Sequence, residues 1–253
     1  MERKKKKLPQ LYIITISDGN IDDLNKTMMS IDNQSYKNYK NLIITSNKIK
    51  KVDKKFKKKN RYFFYQKKSS IYEAMNYGLK KSKNRFIIFL NSGDIFFSKL
   101  SLNRILFYTK NLKIKSCLML VTVLKNKKDY FFPKKKLFFS KNFLTHSSFI
   151  RPPSNRKINF DVKNKINADG PWMKSNINKF SIKKIYIPLT IFYLGGISNF
   201  PSKKSIMIKA NNDNISYLKE LIKFFLLKLV GINNYYKIIY YFKYDRVNYN
   251  NIK

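Results

Sequence analysis

A chain of 253 residues, 43% hydrophobic and 16% aromatic, can bury a substantial core and is too apolar for a disordered polymer. Its 54 Lys and Arg against 14 Asp and Glu give a formal charge of +40, which directs it toward polyanions such as nucleic acid, anionic lipid or phosphorylated ligands. A single Cys, Cys117, excludes an internal disulfide, and with His146 the sole histidine no zinc site of His and Cys ligands can form.

The lysines are spread along the whole chain beside abundant Asn and Ile. A composition bias therefore accounts for many of them as well as a polyanionic partner does. Any metal must be held by oxygen ligands, which points to magnesium or manganese. The basic N-terminus (Arg3–Lys7) is followed by an apolar segment, Leu11–Ile16, too short for a signal core, and no apolar stretch is long enough to span a bilayer. These features predict a cytoplasmic chain.

Leu11–Ile16 reads as a buried strand and Ser17-Asp18-Gly19-Asn20 as the turn after it. Asp22 or Asp23 is expected to cap a helix running to about Asn33, with Leu24, Met28 and Ile31 on one face. Asn41–Thr45 and Arg61–Tyr65 read as the next two strands. Ser69 or Ser70 opens a second helix, whose apolar stripe is Ile71, Ala74, Met75, Gly78 and Leu79. Arg85–Leu90 is hydrophobic throughout, as a strand buried on both faces should be, and stops at Asn91-Ser92-Gly93-Asp94. Alternating strands and helices predict an α/β fold with a parallel sheet. Ligands of such sheets bind at the carboxyl ends of the strands, where Ser17–Asn20 and Asn91–Asp94 lie.

Beyond residue 94 the pattern is less regular. Ser116–Val123, which holds Cys117 as a core residue, and Lys183–Ile187 read as strands, and Asp169–Asn178 as a short helix. From Asn214 to Tyr244 the chain changes character. Leu218, Leu221, Ile222, Phe225, Leu226 and Leu229 form a broad apolar face mixed with Lys219, Lys223 and Lys228. Gly231 breaks this segment, and Tyr235–Tyr244 is rich in Tyr and Lys. Such a tail either packs on the preceding domain or lies in a membrane interface.

Four segments carry candidate chemistry. Arg85–Asp94 delivers a scarce carboxylate, Asp94, to the mouth of the sheet, where it can bind a divalent cation; as a lone signal, Asn-Ser-Gly-Asp is equally a turn. Ser70–Gly78 places Tyr72, Glu73 and Asn76 on neighbouring helical positions, either against a ligand or, for Glu73, beside Lys80 in solvent. Thr145–Arg151 contains His146, and a lone histidine is more often structural than catalytic. Asp169, ahead of Pro171 and Trp172, serves equally well as a helix cap.

In this order and spacing the segments resemble the family 2 glycosyltransferases of bacterial polysaccharide synthesis, of the colanic-acid, capsule and O-antigen kind. The resemblance rests on Ser30–Tyr36 (SIDNQSY), Ser70–Gly78 (SIYEAMNYG), Phe89–Asp94 (FLNSGD), His146–Arg151 (HSSFIR), Ala168-Asp169 and Phe192–Ser198 (FYLGGIS), and covers about residues 10 to 200. The sequence departs from the family at Thr45-Ser46-Asn47, where relatives carry an Asp that meets the nucleotide base. It departs again at Glu73 and Ser70, where they carry Asp and Gly.

The resemblance implies a GT-A fold, a Rossmann-like, mostly parallel sheet flanked by helices. Residues 1–205 would form the catalytic domain and 206–253 a helical basic and aromatic tail. It implies an inverting transfer of sugar from a UDP- or GDP-linked donor to a saccharide acceptor, which in this family is often lipid-diphosphate-linked. Asp94 would be the ligand of Mg2+ or Mn2+, and Asp169 the general base. Ser17, Tyr72, Glu73, Asn76, Asn91, Ser92, His146 and Arg151 would contact the nucleotide-sugar. Such a chain would sit at the inner face of an anionic membrane. Two other readings stay open: a catalytically degenerate scaffold of the same fold, and a basic nucleic-acid-binding protein.

Overall fold

Leu11–Ser17 forms the first strand (β1) because its apolar and β-branched residues suit a sheet buried on both sides. Leu11 and Ile13 point to one face, Ile14 and Ile16 to the other. The chain continues through α1 (Ile21–Asp32), β2 (Tyr39–Thr45), β3 (Arg61–Tyr65), α2 (Ile71–Lys81), β4 (Phe86–Phe89), β5 (Ile95–Phe96) and α3 (Ser101–Lys110). Next come β6 (Cys117–Lys125), β7 (Asp129–Pro133), α4 (Lys135–Phe139), β8 (Phe149–Arg151), α5 (Asp169–Phe180) and β9 (Ile182–Tyr193). The last elements are α6 (Lys203–Ala210), α7 (Asn214–Tyr240) and β10 (Tyr244–Asn248). This computed structural model describes residues 10–46, 54–67, 69–82, 85–110, 116–155, 158–164, 167–194, 201–210 and 214–248. The Asn47 position, the basic Arg3–Lys7 run and the GGIS part of the Phe192–Ser198 motif lie outside them.

Two compact units are present: Met1–Thr122 with Phe138–Ile191, and Val123–Leu137 with Phe192–Lys253. In the first, the strand order is β6-β8-β4-β1-β2-β3. β1 runs parallel to both β2 and β4, and β2 parallel to β3. β8 is antiparallel to β4 and β6, and β5 to β9. This is the mixed, mostly parallel α/β architecture expected from the alternation of elements. α2 and α5 cover one face of the sheet through Tyr72, Met75, Leu79, Trp172 and Met173. α3 covers the other through Leu102, Ile105 and Leu106.

Local chemistry fixes the helix ends. α1 is capped by Asn20, whose Oδ1 accepts the N–H groups of Asp22 and Asp23, so the cap falls two to three residues earlier than the acids. The acids instead favour the positive end of the helix dipole. Ser70 caps α2 in a reciprocal capping box with Glu73. Gly78 lets α2 approach the sheet: a Cβ there would lie 2.6 Å from Ile14 Cγ2 and 3.3 Å from Ile44 Cδ1. Cys117 is a buried free thiol whose pKa burial pushes up to about 12.

The second unit pairs β7 antiparallel with β10. Phe131, Tyr235 and Tyr236 centre its core, with Leu226, Leu227 and Val230 of α7 against them. α7 breaks at Gly231, where φ is 71° and ψ 164°, a conformation suited to glycine. The helical tail therefore ends in a strand, pinned where Arg246 Nε donates to the buried Asp129 carboxylate at 2.8 Å. Among the described residues no helix is long and apolar enough to cross a membrane.

Candidate active site

The register of β1 with β4, Leu11 opposite Phe86 through Ile14 opposite Phe89, brings their carboxyl ends to one level. Leu90 N–H and Ser92 N–H extend that ladder to Ile14 and Ile16 carbonyls at 2.9 Å each. The chain then turns through Gly93, at φ 94°, and presents Asp94, which is 5% exposed. Thr27 of α1 holds this turn: its Oγ1 donates to Asp94 O at 2.7 Å and accepts Gly93 N–H at 3.0 Å. Thr27 occupies one position of the apolar stripe on α1, and a polar residue in such a stripe was the signal available for it.

His146 crosses this turn. Its Nε2 lies 3.2 Å from Asn91 Nδ2, and its Nδ1 3.3 Å from Asp169 Oδ2, at the first residue of α5. With Nδ1–H turned to Asp169, the neutral ring accepts the Asn91 amide through Nε2. Burial by itself lowers the His146 pKa, but the hydrogen bond to Asp169 and the charges of Asp169 and Asp94 outweigh it and raise the value above 6.5. Burial would raise the Asp169 pKa; the His146 hydrogen bond and charge, with backbone N–H groups, bring it below 3.8. The two scarce carboxylates thus act on one imidazole. Asp169 opens α5, while Ala168 takes the N-cap position with no side-chain cap bond.

Other sequence-selected residues give their polar atoms to the protein itself. Ser17 Oγ accepts Gly19 N–H at 3.1 Å, shaping the turn after β1. Glu73 accepts Ser70 N–H at 2.6 Å in the capping box, which lowers its pKa. Both ends of the Asn76 amide meet the Phe160 backbone, at 3.0 and 2.8 Å. Tyr72 is buried, stacks on Phe160 at 5.6 Å, and contacts the backbone of Ala168 and Asp169; burial and the Asp169 charge push its pKa to about 12. Arg151 is buried in β8 with Nε donating to Asn176 of α5 at 3.0 Å. These groups are spent on the fold, whereas Asn91, Ser92 and Asp94 follow the end of β4 and His146 links Asn91 to Asp169. No local pattern announces the Phe160–Trp172 stack, at 4.5 Å, beneath the start of α5.

The donor set at the mouth consists of hard oxygens. Asn91 Oδ1 and Ser92 Oγ are buried with no hydrogen-bond partner among the described residues, beside the Asp94 carboxylate. That chemistry fits magnesium or manganese. No cluster of three or more His, Cys, Asp or Glu capable of holding a metal occurs among the described residues, so a cation here would keep water or phosphate oxygens as ligands.

No protein-family model matches the sequence, and no curated protein aligns with it significantly. Solved structures do match. Residues 1–349 of S. aureus TarS in complex with UDP superpose with a TM-score of 0.60 at 13% identity, over 83% of this chain and 68% of that one. Longer S. aureus TarS matches at 0.59 and 13%, over 85% of this chain, which spans only 43% of that protein. A mannosyltransferase from Pyrobaculum calidifontis, in complex with GDP-Man and Mn2+, matches at 0.59 and 9%, over 86% and 65%. The fold is the GT-A fold of glycosyltransferases.

Proposed function

We propose that this GT-A chain is an inverting glycosyltransferase that moves a sugar from a UDP- or GDP-linked donor to a saccharide acceptor. The observation that carries the reading is the convergence of Asp94, His146 and Asp169 at the carboxyl ends of parallel strands. The structural neighbours lend support, having been solved with UDP, UDP-GlcNAc and GDP-Man.

Asp169 is the general base, taking the acceptor hydroxyl proton as the anomeric carbon is attacked. His146 orients that carboxylate through Nδ1. Asp94 is the protein ligand for Mg2+ or Mn2+. A bound cation would supply charge to the departing nucleoside diphosphate. Asn91 and Ser92 offer polar contacts to the donor. Tyr72, Asn76 and Arg151 position the loops and helix that frame it.

We further propose peripheral contact with an anionic membrane through α7. Ile215, Leu218, Ile222, Phe225 and Leu229 recur at intervals of three and four residues and are between 58% and 84% exposed. Lys219 and Lys228 flank them in solvent. Such a face suits an interface carrying negative charge.

The test of the catalytic reading is transfer or hydrolysis of UDP- and GDP-sugars with Mn2+ or Mg2+. Asp169→Asn should keep the fold and donor binding and lose turnover by about 10²–10⁴-fold. Normal turnover in that variant would remove Asp169 from the base role. Asp94→Ala should abolish the metal-dependent part of nucleotide binding in calorimetry.

A further inference from the structure

The second unit contains a cavity of about 400 Å³ that sugar transfer does not use. Lys125, Asn126 and Lys127 at the β6–β7 turn, Leu194 after β9, and Ile232 and Tyr236 of α7 line it. Asn126 is 8% exposed. Its Oδ1 accepts the N–H groups of Lys128 and Asp129 at 2.8 and 2.6 Å, which fixes the amide with Nδ2 as a donor. Tyr236 is buried, and burial raises its pKa, so its hydroxyl keeps the proton it can donate. Neither Asn126 Nδ2 nor the Tyr236 hydroxyl has a hydrogen-bond partner among the described residues. Two buried donors on one cavity wall are unfavourable unless an acceptor joins them.

The charges point the same way. The Lys125 ammonium donates to Tyr130 at 2.9 Å and lies over the Tyr130 and Tyr193 rings, at 4.6 and 5.5 Å, which fixes a cation at the rim. Lys127 is exposed beside it. No carboxylate lines the cavity among the described residues, and the neighbouring Asp129 is turned to Arg246. Two neutral donors and two ammonium groups match the several oxygens of a phosphoryl group better than the two of a carboxylate. The volume exceeds that of bare phosphate, and Leu194 and Ile232 give an apolar wall for whatever carries it.

We propose that this cavity binds a phosphomonoester, its oxygens held by Asn126 Nδ2, the Tyr236 hydroxyl and the Lys125 and Lys127 ammonium groups. The site belongs to the second unit and stands whether or not the first transfers sugar. Inorganic phosphate is the probe, titrated into the full chain by phosphorus NMR. Tyr236→Phe removes one oxygen, and Asn126→Asp keeps the acceptor of the turn while replacing the donor. Each should weaken saturable phosphate binding by at least about tenfold, while Lys179→Ala, which removes a surface cation of the first unit, should leave it unchanged. A second arm uses phosphatidylcholine vesicles with and without phosphatidic acid. Parallel loss of vesicle binding in Tyr236→Phe assigns the phosphoryl group to a lipid; loss of phosphate binding alone assigns it to a soluble ligand. Unchanged phosphate binding in Tyr236→Phe, or an equal loss in Lys179→Ala, overturns the proposal. Should Asn126→Asp fail to fold by circular dichroism, the Tyr236→Phe result decides.

Discussion

His146 Nδ1 lies 3.3 Å from Asp169 Oδ2, and the pair shifts both groups toward their charged forms. The side chains are 17% and 33% exposed, so solvent screens the pair only in part. The ion pair joins the short 3-10 turn before β8 to the first turn of α5, two segments that strand hydrogen bonding does not connect.

A pH dependence follows from the signs. The folded-state pKa of His146 is raised above 6.5, so its contribution is full below that value and fades as pH rises through the folded value. The folded-state pKa of Asp169 is lowered below 3.8, so its contribution is full above 3.8 and lost as pH falls through the folded value. The melting temperature of the wild type should therefore exceed that of His146→Gln most between pH 3.8 and 6.5. The gap should close on the alkaline side. A gap that widens above pH 8 would show that His146 is not held as a cation.

Thr27 predicts a separate effect. Thr27→Val keeps the shape but removes the hydroxyl that joins Gly93 N–H to Asp94 O, leaving Gly93 N–H the Asp23 carbonyl at 3.2 Å. Urea unfolding should show a loss of about 1–3 kcal/mol. Metal-dependent nucleotide affinity should fall as well, because the turn that aims Asp94 loosens. An affinity unchanged in a folded variant would mean that Asp94 is placed by β4 alone.

Gly78→Ala tests the packing of α2. Alanine favours helix over glycine by about 1 kcal/mol. Here its Cβ would meet Ile14 Cγ2 at 2.6 Å, a stiff β-branched side chain with no exposure. Overpacking of about 1–3 kcal/mol should win, giving a net loss of up to about 2 kcal/mol in denaturant unfolding. A stabilised variant would require β1 to give way.

Much of the sheet was legible in the sequence because strand burial and helix period leave local marks, as in Leu11–Ile16 and the stripe Ala74, Met75, Gly78 and Leu79; Ile71, read as part of that stripe, is exposed, and Tyr72 is buried. The Asn91–Asp94 turn was legible as a strand ending in a scarce acid. The use made of Asn76 was not, since its partner Phe160 lies 84 residues away and is backbone, which any residue supplies. The partner of Arg151 was hidden for a related reason: only the fold brings Asn176, 25 residues away, to its Nε. Asn20 was overlooked as a cap because the acids after it carry the stronger helix-start signal.

The last prediction concerns α7. Removing residues 214–253 would delete Tyr235 and Tyr236 from the core of the second unit, so a truncated chain could lose membrane binding merely by unfolding. Ile222, Phe225 and Leu229 are exposed, whereas Leu226, Leu227 and Val230, on the adjoining side of the helix, pack against the core of the second unit. Replacing the three exposed residues by Gln should leave thermal unfolding nearly unchanged. It should also cut sedimentation with vesicles containing anionic phosphatidylglycerol, since each fully buried large apolar side chain contributes about 1.5–3 kcal/mol. Lys219→Ala with Lys228→Ala should weaken binding by about 1 kcal/mol per charge and flatten its salt dependence. Like charges at these flanks disfavour pairing of two copies through the same face. A chain that is dimeric at micromolar concentration, turns monomeric on the Gln replacements and binds vesicles as before would give this face to a second copy.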